Sequence, residues 1–156
     1  MKTFRDSTGR GWEISLTLGS AIKVKSKLGV DLLQPEEGDP PLLTRLGTDE
    51  MLLAEVICCL LESQFEKHGV SEDDIMDCFD GETLLASQKA FYEELVDFFL
   101  KRGRTDRAKA VSKQTALIDL AIATAGKQID AVDLEKLMSG KMSGESPEPS
   151  ESILND

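Results

Sequence analysis

The stretch MLLAEVICCLLESQF, residues 51–65, constrains the fold of this chain more than any other. Its side chains are apolar nearly all round a helical wheel, which indicates a helix buried on most sides. The strongly apolar part, Met51–Leu61, contains Glu55 and is too short to cross a bilayer. We therefore expect a central helix in the core of a cytosolic protein, with Ile57 and Leu60 buried and no membrane as a partner.

A β-hairpin is predicted over about residues 2–18, before this helix. Lys2–Arg5 and Trp12–Leu18 are short β-favouring runs, and the DSTGRG between them is typical of a turn. In WEISLTL, apolar and polar side chains alternate, as in a strand with one buried face. A two-stranded hairpin is marginal by itself, so its apolar face is expected to pack on helices.

Helical periodicity dominates the rest of the chain, between turns rich in glycine and proline. The predicted helices cover residues 20–28, 42–46, 48–68, 72–79, 82–102, 105–125 and 131–138. A further short element is expected at residues 31–33, before the QPEEGDPP loop. Ser20, Thr48 and Ser71 are predicted N-caps, the last in a capping box with Asp74. Gly29, Gly69 and Gly103 are predicted to end helices.

The predicted fold class is therefore mainly α, with an N-terminal β-hairpin followed by a compact bundle of about five to six helices. Residues 1–138 are expected to form a single domain, whose helical part covers about residues 20–138. Serine, proline and acids dominate residues 139–156, which predicts a disordered acidic tail.

Charge and composition exclude several classes of function. The formal net charge of −11 disfavours broad contact with nucleic-acid phosphates. His68 is the only histidine, so a Ser–His or Cys–His catalytic pair would depend on it, and its place beside Gly69 is typical of a helix end. No Cys/His set has zinc spacing, and SEDDIMDCFDGE departs from the EF-hand pattern. We expect no enzyme, metal or cofactor, and free cysteines in a reduced cytoplasm.

The segment EELVDFFLKRGR, residues 93–104, combines acids, two phenylalanines and a basic cluster. The apolar positions of its predicted helix are Leu84, Leu85, Phe91, Tyr92, Leu95, Val96, Phe98 and Phe99. These fall within an arc of roughly 160°, while Glu93, Glu94 and Asp97 fall outside it and are expected to face solvent. The segment is thus either an ordinary helix C-terminus or a binding site.

The binding-site hypothesis rests on the width of this apolar arc. Phe99 lies well inside the arc and is predicted to pack inward, whereas Phe98 lies near one edge. We therefore predict that Phe98 borders a groove for a protein partner. Lys101 and Arg104 would lie at its rim, where charge mainly affects association rate and salt dependence.

The order of several segments resembles the small G-type tail assembly chaperones of long-tailed bacteriophages. The matching segments are KTFRDSTGRGWEISL, IKVKSKLGVDLL, LLTRLGTDEMLLAEVICCLL, HGVSEDD and FYEELVDFFLKRGR. Together they cover about residues 2–104. Residues 105–156 fall outside the resemblance, and are either the short form's own end or part of a frameshift extension.

The resemblance implies a non-enzymatic holdase for the tape-measure protein, a long helical polypeptide that aggregates before the tail tube forms around it. It also implies recruitment of the major tail tube protein and leaves self-association open. Such a chaperone would act in the host cytoplasm and be missing from the mature virion. The alternative from the residues alone is a generic helical adaptor or regulator that binds a protein partner through the same groove.

Overall fold

The computed structural model describes residues 1–117, 119–120, 123–124 and 126–127. As predicted, the protein is mainly α with an N-terminal two-stranded antiparallel hairpin. Its elements are β1 (Lys2–Arg5), β2 (Gly11–Ile14), α1 (Leu18–Leu28), α2 (Leu42–Thr48), α3 (Glu50–Leu61), a 3₁₀ turn (Glu62–Gln64), α4 (Phe65–His68), α5 (Glu72–Asp77), α6 (Gly81–Lys101) and α7 (residues 105–117). Met1–Ala116 forms one compact unit. The predicted helix 131–138, the domain boundary at 138 and the tail 139–156 lie outside the described residues.

The hairpin has the predicted alternation of buried and exposed side chains, but it is shorter than expected. Phe4 pairs with Trp12 in the antiparallel register, and β1 packs along α6. Trp12, Ile14 and Leu16 are buried, while the intervening side chains are exposed. The prediction for Leu18 is wrong, because β2 ends at Ile14 and Leu18 opens α1 with its side chain in solvent.

Asp6 organises the hairpin turn, a role that the sequence did not reveal. Its buried carboxylate accepts hydrogen bonds from the backbone N–H and the hydroxyl of Thr8, at 2.9 and 2.6 Å. It also accepts from the Arg10 backbone at 3.0 Å and from the Trp12 indole at 3.0 Å. Burial alone would raise the pKa of Asp6, but these hydrogen bonds outweigh it and lower the pKa to about 2.

This arrangement predicts that Asp6 contributes to loss of stability in acid. Its folded pKa lies below the ordinary pKa of an aspartate, about 3.9, so its contribution is complete above that pH. The contribution falls as the pH approaches 2, and amounts to on the order of 2 kcal/mol. Urea unfolding followed by the fluorescence of the single tryptophan should show a smaller acid-dependent loss for Asp6→Asn than for wild type. Equal pH dependence in the two proteins would contradict this role.

Helix α3 forms the centre of the core, as its sequence predicted. It packs against α1, α2, α5, α6 and β2. Ile57 and Leu60 are both buried, which confirms their prediction, while Met51 and Glu55 at the start of the helix are exposed. Among the described residues no helix is long and apolar enough to cross a membrane.

Two predicted helix caps lie on neighbouring residues instead. Thr17, not Ser20, caps α1, and Ser20 closes a capping box by accepting the Thr17 backbone N–H at 2.9 Å. Asp49, not Thr48, caps α3, by accepting the Leu52 N–H at 3.1 Å. Thr48 is instead the last residue of α2, and its hydroxyl donates to the carbonyl of Thr44 in the same helix.

The other helix ends, caps and turns are mostly as predicted. Gly29 and Gly69 end α1 and α4 in the left-handed conformation, and Ser71 forms a capping box with Asp74 on α5. Residues 31–33 form a turn and not the short element expected there, although Leu32 is buried. The QPEEGDPP segment is a largely exposed loop, but Pro35 in it is buried.

Candidate functional site

The C-terminal end of α6 separates the two phenylalanines as the periodicity indicated. Phe99 is 1% exposed, and Phe98 is half-buried with its ring 5.7 Å from that of Phe99, edge to face. Arg107 on α7 places its guanidinium 5.9 Å from the centre of the Phe99 ring. Phe99 therefore connects α6 to α7, and Phe98 lies at the boundary between the buried and exposed faces of α6.

The cations predicted to form a rim are paired with carboxylates of the same chain. Lys101 lies 2.9 Å from Asp97, and this hydrogen bond lowers the pKa of Asp97. Arg104 forms a two-pronged contact with Asp106, at 3.0 and 2.8 Å. Both cations are at the surface, so their ion pairs can exchange for a partner's carboxylate at little cost. The structure thus places Phe98 and Lys101 in the last turn of α6, and Arg104 shortly after the helix ends.

Glu94 contradicts the expectation that the acids of this segment face solvent. It is 5% exposed and lies inside the fold. One carboxylate oxygen accepts the backbone N–H of Leu16 at 2.8 Å, and the other lies 2.7 Å from the amino group of Met1. Glu94 therefore fastens both ends of the hairpin to α6. A sequence signal was present, since Phe91, Glu94 and Phe98 follow the i, i+3, i+7 spacing of a single helix face.

Removing this carboxylate should leave a buried donor unsatisfied. Glu94→Ala is expected to lower the free energy of unfolding by about 1–3 kcal/mol, because the Leu16 N–H loses the acceptor that it has among the described residues. Glu93→Ala, on the exposed neighbour, is the control and should change stability by less than about 0.5 kcal/mol. Urea denaturation measures both variants, and equal stability of the two would refute the structural role of Glu94.

Four apolar side chains that are exposed or half-buried lie close in sequence to Glu94 or to the residues it contacts, and we take them as the candidate site. Phe98 follows Glu94 by one helical turn, and the amino group of Met1, just before β1, lies 2.7 Å from the Glu94 carboxylate. Leu18 lies two residues after Leu16, and Ile22 follows it one turn later on α1. Met1, Leu18 and Ile22 are 63%, 63% and 58% exposed. We call Met1, Leu18, Ile22 and Phe98 the Glu94 face.

His68 is half-buried beside Trp12. Its ring packs against that of Trp12, with centres 4.5 Å apart. Its Nε2 atom is buried without a hydrogen-bond partner, and no serine or cysteine side chain donates to the ring in the described part of the chain. The geometry therefore provides no nucleophile and base pair at this histidine.

Cys58 and Cys59 are free thiols in environments that disfavour the thiolate. Burial, reinforced by the charges of Glu72 and Glu62, raises the pKa of Cys58 to about 12. Burial also raises the pKa of Cys59. Both groups are therefore protonated at neutral pH and poorly nucleophilic. Within the described residues, no group of three or more His, Cys, Asp or Glu side chains is arranged to hold a metal ion.

Comparison with known proteins found no relative of this chain. No protein-family model matches the sequence, and neither a curated protein nor a solved structure is detectably similar to it.

Proposed function

We propose that this protein is a tail assembly chaperone of a long-tailed bacteriophage. It would hold the helical tape-measure protein in solution and help to recruit tail tube subunits, without catalysing a reaction. It would act in the host cytoplasm and leave before the virion is complete. The resemblance of residues 2–104 to this class of chaperone is the starting point of the proposal.

The Glu94 face is the observation that carries the proposal. A holdase must keep apolar side chains available at its surface, and such patches on monomeric proteins are often functional. The side chains of the Glu94 face come from Met1, from the first turns of α1 and from the last turn of α6, and Glu94 on α6 contacts Met1 and Leu16, which lies two residues before α1. An amphipathic client helix binds through apolar side chains spaced along one face, which a patch of this kind can accept.

The net charge of −11 supports the same function. A chaperone bound to an aggregation-prone helix must remain soluble, and a large net charge resists association between complexes. The described surface near the Glu94 face also contains cations, including Lys101 and Arg104. These would meet acidic residues beside the client's apolar stripe and speed encounter.

Co-expression with the tape-measure protein from the same phage genome tests the proposal. Wild-type protein should keep the tape-measure protein in the soluble fraction and co-purify with it. Leu18→Ser/Ile22→Ser should lose this effect and stay folded, because both side chains are largely exposed. An insoluble tape-measure protein in the presence of wild type, or full activity of the double variant, would count against the proposal.

A further inference from the structure

A small cavity opens on the surface where α1, α3, α4 and α5 meet. Its volume is about 80 Å³. Apolar or weakly polar side chains form part of its lining, namely Leu28, Cys58 and Phe65. Three carboxylates, Glu55, Glu62 and Glu72, also line it. Cys58 is 5% exposed, and its thiol makes no hydrogen bond among the described residues.

The size of this cavity indicates what it can receive. Pockets for small molecules and cofactors usually enclose about 300–1,000 Å³, well above 80 Å³. The cavity can hold a few water molecules, at about 10–15 Å³ of this measure for each. One side chain from a partner therefore fits better than a metabolite.

The charge around the cavity indicates which side chain that is. Lys27 forms a hydrogen bond with Glu62, and this contact raises the pKa of Lys27. Glu55 and Glu72 have no cation within 4.0 Å in the described part of the chain. Two carboxylates that form no ion pair among the described residues therefore border a partly apolar opening, although Lys27 also lines it and lies near enough to Glu72 for that charge to help raise the pKa of Lys27. Lysine and arginine combine an aliphatic stem with a charged end, which suits such a site.

We propose that this cavity receives one lysine or arginine side chain from a basic helix of the client. The stem would lie against Leu28, Cys58 and Phe65, and the charged end would reach Glu55 and Glu72. This inference rests on the proposed function for the identity of the client. It adds a chemical requirement, a basic residue on the bound helix, that the Glu94 face does not impose.

A pair of charge-matched variants tests the cavity. The probe is a fluorescein-labelled amphipathic helical peptide of leucine and lysine, and a second peptide has glutamate in place of lysine. Glu55→Gln/Glu72→Gln should weaken binding of the lysine peptide by about tenfold, measured by fluorescence anisotropy. Glu13→Gln/Glu93→Gln changes the net charge equally at exposed sites outside the cavity, and should have little effect. Cys59→Met, which fills the cavity without changing charge, should also weaken binding.

Equal weakening by the two double variants would overturn the proposal, because binding would then depend on net charge alone. Equal affinity for the lysine and glutamate peptides would also overturn it. A failure of the cavity proposal can be distinguished from a failure of the proposed function. A tape-measure protein that stays soluble with wild type and with Glu55→Gln/Glu72→Gln supports the function and refutes the cavity. If peptide binding depends on the cavity but the protein has no effect on the solubility of the tape-measure protein, the cavity is supported and the proposed function is refuted.

Discussion

Phe99→Ala should lower the free energy of unfolding by about 3–5 kcal/mol. The Phe99 side chain is 1% exposed, so its loss leaves a cavity that well-packed neighbours fill only partly. The substitution also removes the ring beneath the Arg107 guanidinium, 5.9 Å from its centre. The substitution should therefore weaken both the core and the contact between α6 and α7. Thermal or urea unfolding measures the loss of stability.

Phe98→Ala is the matched control, since it removes the same side chain one residue earlier. Phe98 is half-buried, and we expect its replacement to cost less than about 1.5 kcal/mol. If the two variants are equally unstable, Phe98 belongs to the core. The segment EELVDFFLKRGR would then be a helix end with no separate binding surface.

Leu60→Ala should cost about 2–5 kcal/mol, because it creates a cavity in the central helix. Leu60 is 6% exposed on α3, which packs against four other helices and β2. Met51→Ala on the same helix is the control, since Met51 is 79% exposed and its loss should change stability by less than about 0.5 kcal/mol. Denaturant melts that show a loss below about 1 kcal/mol for Leu60→Ala would mean that α3 is not central to the core.

Periodicity predicted the parts of the fold that depend on burying one apolar face. The alternation of Trp12, Ile14 and Leu16 identified the buried face of the hairpin, and the apolar run identified α3. Both predictions depend only on the spacing of side chains within one element. That information is present in the sequence before any tertiary contact forms.

Helix boundaries were less predictable, for a local reason. Thr17 and Ser20 can each accept a backbone N–H, and so can Thr48 and Asp49. The choice depends on where the preceding segment ends: β2 stops at Ile14, and α2 continues to Thr48. A pattern read within one helix does not contain this information.

The burial of Glu94 and Asp6 was not predicted, because it depends on several hydrogen-bond donors that reach these carboxylates only in the folded chain. An acid is normally assigned to the solvated side of a helix, since a buried charge is costly without hydrogen bonds. Here the N–H of Leu16 and the amino group of Met1 compensate Glu94. Those donors come from the hairpin, far from Glu94 in sequence. The Glu94 face therefore became visible only in three dimensions.

Calorimetric titration with a soluble fragment of the tape-measure protein tests the central claim most directly. Wild type should bind, and Phe98→Ala should bind at least about tenfold more weakly, a loss of about 1.4 kcal/mol, while remaining folded at the temperature of the titration. Leu85→Ala removes a partly exposed side chain at the opposite end of α6 and should bind like wild type. Wild-type affinity for Phe98→Ala, or binding lost only in proportion to unfolded protein, would contradict a client-binding role for the Glu94 face.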